Sequence, residues 1–169
     1  MLVVGIVVDQ LRTDYIEGLQ SRFSEHGFRY LIKDGVYFRD VDFKVSPLDA
    51  ASATAMLYTG SYPAQTGVPS ASVFEQTSSG PVSRPALASA GTVSNDSFTP
   101  ENLRLSTVAD EVAIDGVGLG AVYSIATEPQ QAVIMAGHAA KNAAGLNNTT
   151  GNWATSSYYG SLPVPVSNR

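Results

Sequence analysis

The sequence predicts an α/β fold with a largely parallel sheet flanked by helices, and three observations carry that prediction. Strand-like and helix-like segments alternate along the chain. The first is a continuous apolar run rich in β-branched residues, which suits a strand covered on both faces. An apolar fraction of 44% over 169 residues is enough for one sizeable core.

The elements follow in order. Residues 2–8 form the opening strand and end in Asp9. Leu11, Tyr15, Ile16 and Leu19 then recur at three- and four-residue spacing, which predicts a helix. A second helix is predicted over residues 24–33, with Gly35 after its end. Residues 36–43 alternate between apolar and polar and read as a strand. Ser46-Pro-Leu-Asp49 reads as a helix start, with Ser46 as N-cap, Pro47 at the first helical position and an acid at the third. That helix should run through Ala50 to about Tyr58. From residue 59 to about 103, Gly, Ser, Pro and Thr dominate. We expect a long loop-rich excursion there, with room for short strands, within one domain spanning residues 1–169. Ser106-Thr-Val-Ala-Asp110 opens a helix to about Ile114. Residues 119–125, 132–135 and 153–159 are predicted as further strands.

Composition narrows the function. Net charge is −5 and the ten Lys and Arg form no basic run, so a nucleic-acid-binding surface is not expected. With no Cys, there can be no disulfide, thiolate zinc site or cysteine nucleophile. The apolar run at 2–8 is too short to span a bilayer. It also lacks the basic segment and cleavage site of a signal peptide. Met1 stands almost directly on it, so we expect a leader to have preceded it in the natural protein.

Few residues stand out for chemistry. Asp9 follows an apolar strand, and in open α/β sheets ligands collect beyond the carboxyl ends of strands. Its position fits a divalent-metal ligand, or else a cap for the next helix. The helix beginning near Ser46 offers free N–H groups and a positive dipole end to an anion. Ser46, Ser52 and Thr54 place hydroxyls near its first turns, as nucleophiles or as packing residues. His26 reads as solvated. His138 follows a strand end and reads as buried with one hydrogen bond, or as facing a site. The sequence holds no G-x-S-x-G elbow, H-E-x-x-H, P-loop or G-x-G-x-x-G loop.

The opening, Leu2-Val-Val-Gly-Ile-Val-Val-Asp9-Gln-Leu-Arg-Thr-Asp-Tyr, resembles that of alkaline-phosphatase-superfamily enzymes of the type I phosphodiesterase/nucleotide pyrophosphatase group. The likeness continues in order through His26-Gly-Phe-Arg-Tyr-Leu, Leu57-Tyr-Thr-Gly-Ser-Tyr-Pro-Ala-Gln-Thr-Gly-Val68 and Leu105-Ser-Thr-Val-Ala-Asp-Glu-Val112. It ends with Ala136-Gly-His-Ala-Ala140 and Gly151-Asn-Trp-Ala-Thr-Ser-Ser-Tyr-Tyr159. Residues 70–100 add little.

This resemblance implies an alkaline-phosphatase-like fold, of which the chain would be the N-terminal part, and a two-zinc phosphoester hydrolase. Asp9 matches the aspartate that binds one zinc. Ala50 falls at the position of the family's Thr or Ser nucleophile, and Thr54 where the family has a His. An alanine has no oxygen to attack phosphorus. The family's Lys-Asp-Arg stretch, which contacts the transferred phosphate, is replaced by Ser124-Ile-Ala-Thr-Glu-Pro-Gln-Gln131, with no cation. The other family metal ligands have no match, because they lie further along than Arg169. Ser52 or Thr54 could serve as a displaced hydroxyl, or a metal-activated water could attack. Alternatively, the protein has kept the fold, lost the chemistry and binds a ligand, a phosphoester small molecule among the possibilities, or a partner. A fragment without function of its own and an unrelated α/β domain complete the readings. The resemblance also implies export to the periplasm or outside. A parallel sheet cut at Arg169 would expose edges, so self-association is expected of the chain alone.

Overall fold

The computed structural model describes residues 2–46, 48–88, 98–117, 119–148 and 150–160. The chain divides into two compact units, Met1–Val45 and Ser46–Arg169.

The first unit holds two short helices. Helix α1, Thr13–Gly18, carries Asp14 in its first turn, where an acid suits the positive end of the helix, and buries Ile16. A 3-10 turn over Gln20–Arg22 leads to α2, Phe28–Asp34, whose Phe28 ring lies 5.2 Å from that of Phe23. Two expectations are corrected here. Residues 2–8 and 36–43 are not strands, although both have strand-like apolar patterns. A strand exists through its ladder partner. Among the described residues none pairs with either segment, and Leu2 and Phe38 stay 87% and 74% exposed.

The second unit contains the core. Helix α3 spans Ala50–Thr59 and closes at Gly60. The short helix α4, Pro63–Thr66, starts on its proline. Strands β1, Ser72–Thr77, and β2, Gly80–Pro85, form an antiparallel hairpin inside the stretch expected to be loop-rich. Helix α5 spans Val108–Asp115.

Next comes a strand–helix–strand unit: β3, Tyr123–Ala126; α6, Pro129–Ala136; and β4, Asn142–Leu146. Strands β3 and β4 are parallel, and β5, Trp153–Thr155, lies antiparallel on the other side of β4. The strand predicted over residues 132–135 is instead the middle of α6. Its apolar residues are continuous because Ala132, Val133 and Ile134 are all buried, which removes the periodic signal of a helix. Pro129 at the first turn was the better cue. The final strand is shorter than expected: after Thr155 the backbone turns, and Tyr159 N–H donates to Ser156 O.

Alanines let α3 and α6 approach closely. Ala51 and Ala55 of α3 join Ala132, Val133 and Ile134 of α6 in one buried cluster, with Val68, Leu87 and Leu103 around them. Strand β4 packs equally tightly on the start of α6, where a Cβ added at Gly145 would lie 2.6 Å from Pro129 Cα.

Candidate functional site

The start of α3 is the position to which the sequence pointed. Its N-cap is Asp49, three residues beyond the expected Ser46, and Pro47 lies outside the described residues. Asp49 is extended, and its Oδ1 accepts from Ser52 N–H at 2.9 Å. Ser52 Oγ returns the contact, accepting from Asp49 N–H at 3.0 Å and lying 3.0 Å from Oδ1. The result is a reciprocal capping box. The sequence carries it as Asp49-x-x-Ser52, three residues after the competing cap signal Ser46-Pro47.

The second carboxylate oxygen of Asp49 accepts from Ala71 N–H, tying α3 to the loop before β1. Burial pushes this carboxyl up. The N–H groups of Ser52, Ala71 and Ala51 and the Ser52 hydroxyl together outweigh burial and hold it below its ordinary range.

The residues expected to do chemistry sit around this cap. Ala50 is exposed and offers a methyl group. Ser52 is fully buried and belongs to the cap. Thr54 is buried too; its Oγ1 donates to Ala50 O at 2.6 Å and accepts from Gln131 Nε2 at 3.3 Å. Both hydroxyls are thus committed inside the protein. The start of α6 contributes Gln130, from the stretch over residues 124–131 that holds no cation. Its Nε2 donates to Ala71 O at 2.9 Å, and its Oε1 accepts from Leu87 N–H at 3.2 Å. Ala71 is therefore held on one side by Asp49 of α3 and on the other by Gln130 of α6.

A second polar cluster joins α5 to the turn after α6. Thr107 caps α5 in a capping box with Asp110, one residue beyond the expected Ser106. The Asp110 carboxylate is 3% exposed and accepts from Thr107 N–H at 2.8 Å, His138 N–H at 2.7 Å and Ala139 N–H at 2.8 Å. His138 Nδ1 lies 3.2 Å from it, while Nε2 lies 2.9 Å from Leu103 O. That carbonyl can only accept, so Nε2 carries a proton. Burial pushes Asp110 up, but its N–H donors and the His138 ring overcome burial and leave it lowered. Gly137 permits the approach: it has φ 67°, and an added Cβ would lie 2.4 Å from Thr107 Oγ1. Tyr159, whose hydroxyl burial pushes up, donates to Gly137 O. His138 thus makes two ring contacts where one was expected. His26 is exposed.

Asp9 lies in the first unit, exposed, in a turn where Gln10 adopts φ 61°. Ala50, Ser52 and Thr54 share α3 in the second unit. Zinc sites are built from about four ligands. Among the described residues no group of three or more His, Asp or Glu is placed to hold a metal. A cavity between α6, β4 and β5 has a volume of about 10 Å³, room for about one water. Among the described residues no helix is long and apolar enough to cross a membrane.

The fold defines the class of protein. The structure matches crystal structures of the alkaline phosphatase PafA, wild type and a mutant, each with a TM-score of 0.83. Sequence identities are 27% and 28%, and each match covers 95% of this chain and 32% of the other. This is an alkaline-phosphatase-like α/β fold. Residues 3–158 match the family model described as type I phosphodiesterase / nucleotide pyrophosphatase, and the chain belongs to that family. Among curated relatives, a protein named calcium-transporting ATPase from Myroides odoratus is 34% identical. Alkaline phosphatase PhoV of Synechococcus elongatus is 30% identical, and alkaline phosphatase PafA of Elizabethkingia meningoseptica 29%. Each match covers 94% of this chain, which spans about 30% of the length of these relatives.

Proposed function

We propose that this protein is a phosphatase-fold relative that does not transfer phosphoryl groups through the start of α3, and that it serves instead to bind a ligand or partner. The Asp49 carboxylate carries the reading. It already uses the N–H groups of Ser52 and Ala51 in the first turn, where an anionic substrate would need them. A phosphate oxyanion about 4 Å from a carboxylate is repelled by about 1 kcal/mol in bulk water and about 4 kcal/mol near a protein surface. A well-placed oxyanion donor is worth about 2.7–4 kcal/mol in the opposite direction. Three further features support the reading: the methyl of Ala50 at the matched nucleophile position, the internal bonds of Ser52 and Thr54, and Gln130 held by backbone groups in a segment without a cation.

The test is hydrolysis of an activated phosphomonoester and phosphodiester by the longest natural form of the protein, with zinc and with chelator. No turnover above background is expected in either condition. Turnover that zinc restores and chelator abolishes would overturn the reading.

A second reading is metal-dependent phosphoester hydrolysis by the longer protein, with Asp9 as a zinc ligand. It is favoured by the match of the Leu2–Val8 run and Asp9 to the family's metal-binding opening, and by relatives named alkaline phosphatases. It predicts zinc in the purified protein and loss of zinc in Asp9→Ala. Zinc content unchanged by Asp9→Ala removes it. Under either reading the family resemblance implies the periplasm or the exterior, and the acidic balance argues against nucleic acid as partner.

A further inference from the structure

We draw no further inference here: the strongest candidate, the exposed apolar residues Leu2, Ile6, Val36 and Phe38 of the first unit, carries none because nothing in the structure shows what covers them.

Discussion

Asp49 and Asp110 take opposite places in two capping boxes, Asp49 as the N-cap of α3 and Asp110 as the third residue of α5 reaching back to Thr107, and their surroundings set different consequences. Asp49→Ala removes a cap and should cost about 0.5–2 kcal/mol in urea unfolding. Asp110→Ala removes the acceptor of three N–H groups, of which that of Thr107 is buried, so it should cost more: about 1–3 kcal/mol for that buried donor alone, with a smaller loss at His138 and Ala139. An equal loss in the two variants would contradict the assigned contacts. Acid should act on both residues. Their carboxyls titrate lower in the folded chain than the ordinary value of 3.8, so the unfolded chain takes up protons first. Their contribution is complete above that value and is lost as pH falls through the lowered folded values. In unfolding measured against pH, Asp110→Asn should flatten this acid limb while leaving the neutral region uniformly lower.

Close contacts between elements yield predictions of a different kind. Gly137→Ala forces a Cβ against Thr107 Oγ1 and the Asp110 carboxylate in a left-handed backbone, so it should destabilise by about 1–3 kcal/mol. Gly145→Ala should cost a similar amount by pushing β4 off Pro129. Gly151→Ala is a control, since its left-handed strain remains but an added Cβ meets no atom within 4 Å. If thermal unfolding shifts equally in Gly137→Ala and Gly151→Ala, backbone strain rather than packing governs Gly137.

These same elements mark how far the sequence could be read. Helices α1, α2, α3 and α5 were visible because amphipathic spacing and capping residues are local signals. Their starts slipped where two caps competed, as Ser46 did with Asp49. Helix α6 was hidden because uniform burial erased its period, and β4 because Asn142-Ala-Ala-Gly-Leu146 lacks β-branched residues. The site was only partly legible. Residue types alone give Ala50 at the position that the family resemblance assigns to the nucleophile, and a stretch over residues 124–131 without Lys or Arg. The hold of Asp49 and Gln130 on Ala71 depends on contacts 22 and 59 residues apart, which no local pattern encodes.

At the scale of the whole molecule, apolar surface is unevenly covered. The second unit has a continuous core. In the first, Ile16 is the only buried apolar residue among those described, and Leu2, Val4, Ile6, Val36 and Phe38 face outward. Single exposed apolar residues are ordinary, whereas a whole set marks an interface or a tendency to associate. The isolated 169-residue chain should therefore form oligomers or larger species by light scattering, and a clean monomer at tens of micromolar would count against this. In native hydrogen exchange, amides of α1 and α2 should exchange well before those of α3 and α6.

If the proposed reading holds, the carboxylate at the start of α3 also bears on whether phosphoryl transfer could be regained there. On the proposed reading, Ala50→Thr alone would restore a hydroxyl beside an acid that already holds the first turn and the Ala71 backbone. The reversion brings no advantage until Asp49 changes as well, and changing Asp49 first costs stability with no compensating gain. Each single step is unrewarded, so the helix cap acts as a ratchet, and a lineage that acquired it would not readily retrace its path to chemistry.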